Sequence, residues 1–190
     1  MQPEDRPQQG GAADPRPLVG EPLALDLLNT RWNEDGVRYD LLESVDGLAI
    51  WLRSAGLDDR AVADEATLEA ALETRGTLLG LMEKGSSPET VDPLNRVLEH
   101  GALHYRLGLD GPENRPQTDD VVWLPSWLAA VDYLRLMTDS PDRVKPCAHP
   151  NCVLYFHDTT KNGTRRWCSM AICGNRAKAA RHYERVKGER

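Results

Sequence analysis

Most of the chain places its apolar residues at the spacing of an α-helix. They recur every three or four positions in four stretches before residue 101 and in another after residue 125, which is typical of amphipathic helices. Residues suited to helix ends mark some boundaries: Ser87 and Pro88 suit a start, and Gly85 suits an end. The pattern predicts helices over 22–32, 46–55, 65–84, 87–101 and 126–138.

The period changes between residues 102 and 124. Every second residue from Leu103 to Leu109 is apolar, which is the alternation of a β-strand. A polar stretch rich in proline and glycine follows, and the apolar run VVWL comes after it. We therefore expect a β-hairpin with strands at 102–109 and 121–124.

Composition places the chain among ordinary globular proteins, with 40% hydrophobic and 28% charged residues. Residues 1–17 hold four prolines and two adjacent glycines, which predicts a disordered tail. The sequence contains no apolar run long enough to cross a membrane. Its N-terminus lacks the basic start and apolar core of a secretory signal. These features favour a cytoplasmic protein.

Charge is divided unevenly along the chain, although its net value is −7. Residues 1–142 hold 12 Lys or Arg and 27 Asp or Glu, whereas residues 143–190 hold 11 and 3. The C-terminal segment thus carries +8 beside a body at −15. Such a segment suits an anionic partner, although a solvated basic helix would have the same composition.

All four cysteines lie in the basic segment and form two close pairs. The first pair is Cys147 and Cys152; the second, after fifteen intervening residues, is Cys168 and Cys173. Two pairs at this separation are typical of a zinc site, in which each turn supplies two thiolates to a tetrahedral ion. Each pair is spaced by four residues rather than the usual two. The sequence predicts that these four cysteines bind one Zn²⁺.

Spacing alone leaves other uses of the cysteines open. Disulfides are disfavoured in the cytoplasm, and the usual iron–sulfur spacings differ from this one. His149 or His157 could also replace one thiolate. A site closed by four thiolates offers no coordination position to a substrate, so we expect the zinc to be structural and the protein not to be an enzyme.

One polar cluster in the helical body is a candidate small-ligand pocket. It consists of Asp26, Asn29 and Arg31, with Thr30 between them, beside an apolar stripe. The same residues could simply end a helix. Residues 18–142 show no nucleophile–base pair and no phosphate-binding loop, which argues against catalysis there.

The cysteine-rich segment resembles the CGNR zinc finger, because Cys173-Gly174-Asn175-Arg176 spells its signature within RRWCSMAICGNRAKAARH at 165–182. The body resembles the ABATE domain through LALDLLNTRW at 23–32 and DLLESVDGLAIWLRSAGL at 40–57. The resemblance implies a stress-responsive transcription regulator. Its expected fold is mainly α (α+β): a helical domain with a small β-hairpin over 18–142, then a zinc-ribbon or treble-clef-like module ending in a helix over 143–190.

The final helix is expected over 174–187. At about 100° per residue, Lys178, Arg181 and Arg185 share one face of it. Arg176 lies nearer the apolar side, which favours a structural role such as pairing with an acid. Adjacent arginines are difficult to bury, which favours phosphate contact for the pair before the second cysteine turn. The predicted nucleic-acid-binding residues are Lys161, Arg165, Arg166, Lys178, Arg181 and Arg185.

The sequence therefore favours a zinc-containing, DNA-binding transcription regulator whose body senses an effector or forms a homodimer. RNA is the nearest alternative partner, since nothing in the sequence reads bases specifically. Two further hypotheses stay open: an adaptor that docks on an acidic protein, and a small-molecule-binding body supported by a structural zinc module. No membrane partner is expected.

Overall fold

A computed structural model describes residues 12–179 and residue 187 of the chain. The body contains five α-helices: α1 (Leu23–Leu28), α2 (Val45–Ser54), α3 (Glu65–Lys84), α4 (Pro88–Glu99) and α5 (Leu124–Asp139). The described residues also form three antiparallel hairpins: β1 (Arg31–Glu34) with β2 (Val37–Asp40), β3 (Gly101–Gly108) with β4 (Gly111–Thr118), and, after α5, β5 (Val144–Pro146) with β6 (Tyr155–His157). A π-helical turn at Met170–Gly174 leads into a helix over 175–179. The expected mainly helical fold with small sheets is confirmed.

Side chains at the helix starts explain several boundaries. The Ser44 hydroxyl accepts a hydrogen bond from the amide of Gly47 at the start of α2, and the Asp64 carboxylate does the same for Thr67 in α3. Ser87 and Thr90 form a reciprocal capping box on α4. The predicted helices from residue 46 onward within the body are therefore confirmed to within about two residues.

The core of the body lies between α1, α2, α3 and α5. The Trp51 side chain is fully buried there, together with Leu25 and Leu27 of α1, Leu78 of α3 and Leu136 of α5. Burial of these side chains supplies the main driving force for the fold. Within the part of the chain that the structure describes, no helix is both long and apolar enough to cross a membrane.

The first predicted helix, over 22–32, is wrong at its C-terminal end. Helix α1 ends at Leu28, and the chain enters strand β1 at Arg31. The reason is the turn at Asp35-Gly36, where φ is 49° and 83°, as a two-residue hairpin turn of type I′ requires. Trp32 therefore lies on a strand, stacked on Tyr39 at 5.3 Å between ring centroids.

The predicted second strand of the hairpin, at 121–124, is also wrong. Strand β3 instead pairs with Gly111–Thr118 through a two-residue turn. The apolar run 121–124 forms a 3₁₀ turn and the first residue of α5, and the Asp120 carboxylate caps that turn by accepting from the Val122 amide. The prolines of β4 are compatible with a strand because they face its free edge, where no ladder hydrogen bond is required.

The predicted disordered tail needs a correction where the structure describes it. Arg16 is buried, and its guanidinium donates to the Asp26 carboxylate at 2.9 Å and to Asp14. A buried guanidinium must be paired, so this contact holds residues 14–16 against the body. Residues 1–11 lie outside the described part of the chain.

The basic segment packs directly on the body. The Asn29 side chain donates to the Tyr155 carbonyl and accepts from the Tyr155 amide, both at 2.9 Å, while the Glu21 carboxylate accepts from the His157 amide at 2.8 Å. Phe156 is fully buried, and it belongs to the same apolar cluster as Trp51. The two parts of the chain therefore share one hydrophobic core.

Candidate metal centre and the surrounding basic surface

The four cysteines meet at one point of the C-terminal segment. Cys147 follows β5, Cys152 lies in the loop before β6, and Cys173 lies in the π-helical turn that Cys168 precedes. Their sulfur atoms all lie within 4.8 Å of one another. Cys152 is partly exposed, and the other three cysteines are buried.

The sulfur positions fit a zinc ion. With Zn–S bonds of about 2.3 Å, a tetrahedral site has S···S distances of about 3.8 Å. The Sγ atoms of Cys152 and Cys168 are 3.8 Å apart, and those of Cys168 and Cys173 are 3.6 Å apart. These separations are far longer than a disulfide bond of about 2.05 Å, and all four cysteines are free. The predicted site for one structural zinc ion is confirmed in its residues and spacing.

The electrostatics of the four-cysteine cluster also favour a bound cation. Burial and the charge of neighbouring Cys147 raise the pKa of the Cys173 thiol above its ordinary value. Hydrogen bonding with Cys147 raises the pKa of Cys152 to about 12. Four thiolates this close repel one another, and a bound divalent ion reverses that balance by stabilising each negative charge.

Backbone contacts hold the cysteine turns together. The Cys147 amide donates to the Leu154 carbonyl at 2.9 Å, and the Ala148 amide donates to the Arg166 carbonyl at 2.8 Å. Gly174 is buried in the second turn, and its amide donates to the Ser169 carbonyl at 3.0 Å. This hydrogen bond spans the turn that contains Cys173.

Neither nearby histidine replaces a cysteine. The His149 Nδ1 accepts from the Asn151 amide at 3.3 Å, and the His157 Nε2 lies 2.9 Å from the Ser140 hydroxyl. Among residues 12–179 and 187, the four cysteines are the cluster of metal-binding side chains that the structure brings together.

Arg165 supports the finger from inside, in contrast to the predicted phosphate contact. Its guanidinium lies 4.4 Å from the centroid of the Phe156 ring and 3.5 Å from the Glu21 carboxylate. It also donates to the backbone carbonyls of Trp167 and Cys168. A side chain with these contacts has few donors left for a ligand, so its main role is to hold the second cysteine turn against β6 and the body.

Asp158 is a buried centre that the sequence analysis missed. Its carboxylate accepts from the Lys145 ammonium at 2.8 Å, from the Thr160 amide and hydroxyl, and from the Arg165 amide at 2.9 Å. Burial alone would raise the pKa of Asp158, but these hydrogen bonds outweigh it and hold the pKa well below its usual range. The Asp-x-Thr sequence at 158–160 favours a turn capped by the aspartate side chain, and this pattern could have indicated the role of Asp158.

Three predicted nucleic-acid-binding residues lie on the surface of the finger. Lys161, Arg166 and Lys178 are exposed, and none of them forms an ion pair with another described residue. The Arg166 guanidinium lies 5.3 Å from the centroid of the Trp167 ring. Arg181 and Arg185 lie outside the described part of the chain.

Arg176 lies across from the β1–β2 turn, with its guanidinium 3.4 Å from the Asp35 carboxylate. This is the kind of acid pairing that its sequence position favoured. The pair is exposed, so it contributes little stability by itself.

The candidate ligand cluster of the body is divided by the fold. The Asp26 carboxylate accepts hydrogen bonds from the Arg16 guanidinium and from the Trp51 indole. The side-chain amide of Asn29 donates to the Tyr155 carbonyl. Both side chains are buried and occupied by these contacts. Arg31 instead lines a separate cavity of about 240 Å³ with Arg75 and Glu83. These three residues therefore do not form one pocket.

Comparisons with known families agree with this architecture. Residues 143–186 match the family described as "CGNR zinc finger", and residues 21–140 match ABATE, described as "Putative stress-induced transcription regulator". Neither is an enzyme family. No curated protein matches the chain. Since the ABATE match covers more than half of its residues and the four-cysteine site follows in the expected order, the chain belongs to the ABATE family and carries a C-terminal CGNR zinc finger.

Proposed function

We propose that this protein is a transcription regulator that binds DNA through its zinc finger. The observation that carries the proposal is the division of the basic residues of the finger into two groups. Arg143, Lys145 and Arg165 donate to groups inside the fold. Lys161, Arg166 and Lys178 have no such partner among the described residues and point their charge into solvent.

The acidic residues of the finger do not cancel this charge. Asp158 is the one acid between residues 143 and 179, and it is buried on Lys145. The described surface of the finger is therefore positive although the body is strongly acidic. Neutralisation of phosphates supplies most of the affinity of such surfaces for nucleic acid.

The local geometry supports DNA as the partner. Lys178 lies on the helix that begins at residue 175, directly after the metal site. A helix fits the major groove of DNA, whereas the major groove of duplex RNA is too narrow for it. Arg166 is held on the Trp167 ring, so its guanidinium loses less freedom when it contacts a phosphate.

The test is binding of the zinc-loaded full chain to fluorescent duplex DNA at several salt concentrations. We expect the triple variant Lys161→Gln, Arg166→Gln and Lys178→Gln to weaken binding and to lower the slope of log K against log salt by about 3, since each phosphate contact contributes roughly one. The control variant Lys84→Gln, Arg96→Gln and Arg106→Gln removes three exposed cations from the body and the same total charge.

Equal losses in the two variants would contradict the proposal, because net charge alone would then explain binding. Tighter binding to single-stranded or duplex RNA than to duplex DNA would favour the RNA alternative. Affinity for an acidic protein that survives an excess of nonspecific nucleic acid would favour the adaptor alternative. Zinc content is measured for each variant, so that loss of the metal is not mistaken for loss of a contact.

A further inference from the structure

The β3–β4 hairpin carries an exposed apolar face. Its base packs on the body where Gly101 meets the Trp127 ring. Further along, Tyr105 is 78% exposed and Leu107 is 80% exposed. Side chains alternate across a strand, so these two residues share one face with Leu103, and the charged residues Arg106 and Arg115 lie on the other. A two-stranded hairpin of this kind is marginally stable in water without a partner.

The two edges of this hairpin differ in their ability to pair. The two-residue turn joins Gly108 to Gly111, which face each other in the ladder. The alternate residues 103, 105 and 107 therefore direct their backbone N–H and C=O groups away from β4. On β4 the corresponding outward positions include Pro112 and Pro116, which have no N–H group. Prolines at such positions block the addition of another strand.

The outer edge of β3 has no such protection. Its outward positions are Leu103, Tyr105 and Leu107, each with an N–H and a C=O group. The structure pairs β3 with β4 alone among the described residues. An exposed apolar edge that is open on one side, while the opposite edge is blocked, is suited to pairing with one further strand.

The sequence along this edge indicates which strand fits. Residues 103–107 read Leu-His-Tyr-Arg-Leu, so the three outward positions read the same in both directions. In an antiparallel pair centred on Tyr105, Leu103 of one copy would face Leu107 of the other, and the two tyrosines would face each other. We infer that the β3 edge pairs with the β3 edge of a second copy of this chain across a two-fold axis.

This pairing makes a four-stranded sheet with the blocked β4 edges outermost, so assembly ends at two copies. The apolar faces of both hairpins become continuous, and opposed side chains stabilise the sheet. A single strand edge is smaller than the ~800 Å² per partner of a standard interface. The dimer therefore dissociates on dilution.

Sedimentation velocity of the zinc-loaded full chain over a concentration series tests the inference. We expect a reversible monomer–dimer equilibrium that Tyr105→Pro weakens about 30-fold, because two intermolecular hydrogen bonds worth roughly fivefold each are lost. The control is Asn114→Pro, directly opposite Tyr105 in the ladder, which removes an outward N–H from the β4 edge. A monomer at every concentration, or equal effects of the two prolines, would overturn the inference.

A second measurement tests the register without disturbing the backbone. Photo-oxidation couples tyrosines that lie side by side, so the wild-type dimer should yield a dityrosine cross-link. Tyr105→Phe should keep the dimer in sedimentation and lose the cross-link, while Tyr39→Phe, at the other exposed described tyrosine, should keep both. A cross-link that survives Tyr105→Phe would show that the two-fold axis does not lie at Tyr105.

Discussion

Asp158 shows how one side chain can organise the finger before any metal contact is considered. It is buried between Lys145, Thr160 and the Arg165 amide, and it fixes the loop that connects β6 to the second cysteine turn. Asp158→Asn should lower the melting temperature of the zinc-loaded protein by several degrees, because the Lys145 ammonium loses its counter-charge. The control is Asp142→Asn, at an exposed carboxylate nearby, which should have little effect.

The lowered pKa of Asp158 determines how the stability lost in Asp158→Asn depends on pH. A carboxyl whose pKa is lower in the folded state stabilises the fold fully above its unfolded value of about 4, and this stabilisation is lost as the pH falls through the folded value. The deficit of Asp158→Asn should therefore be the same at pH 6 and pH 8. A deficit that disappears within this range, in thermal unfolding followed by circular dichroism, would show that another group is responsible.

Single residues differ in how far sequence alone predicts their roles. The four cysteines are predictable because zinc binding depends on residue type and spacing, which are local properties. Arg165 is not, because its role depends on the Phe156 ring and on the Trp167 and Cys168 carbonyls, which only the folded chain brings together. The same holds for Asp26 and Asn29, whose partners Arg16 and Tyr155 are distant from them in sequence.

At the level of elements, helices α2 and α3 carry glycines with opposite environments. A Cβ on Gly47 would collide with the Leu41 carbonyl oxygen, a backbone atom that cannot move freely. A Cβ on Gly76 would meet nothing within 4 Å. Gly47→Ala should destabilise the protein by about 1–3 kcal/mol through overpacking. Gly76→Ala should stabilise it by about 0.5–1 kcal/mol, because alanine favours an exposed helical position.

Chemical denaturation of the two alanine variants beside the wild type separates these effects. Both changes add one methyl group to a helix, so helix propensity alone predicts stabilisation in each case. Stabilisation by Gly47→Ala would mean that α2 can shift away from Leu41 without loss, contrary to the packing described above.

Helices were predicted more accurately than strands for a physical reason. Capping residues and helical periodicity are encoded within a few residues, as at Asp64 and Ser87. Strand β4 contains two prolines and no alternating apolar pattern, so its pairing depends on β3 rather than on its own composition. The Asp35-Gly36 turn was a readable hairpin signal, but the apolar residues before it suggested a continuing helix.

For the whole molecule, the sequence suggests a body and a module that differ in charge, while the structure joins them through one core. Cys147, Cys168 and Cys173 belong to the same buried cluster as Leu25 and the rest of the helical core. Asn29 adds two hydrogen bonds across the junction. The change from an acidic body to a basic finger at residue 143 therefore does not imply that the two parts unfold independently.

This shared core predicts that zinc stabilises the helical body as well as the finger. In the variant Trp167→Phe, all remaining tryptophans lie between residues 32 and 127, so their fluorescence reports on the body alone. Removal of zinc by a chelator should lower the melting temperature seen by this signal by about 5 °C or more, and added zinc should restore it. In the additional variant Asn29→Ala, which removes the two hydrogen bonds between Asn29 and Tyr155, the same removal of zinc should have a smaller effect. If zinc removal leaves the fluorescence transition unchanged in both proteins, the finger folds without influence on the body. The ion would then act only on the four cysteines and their immediate turns.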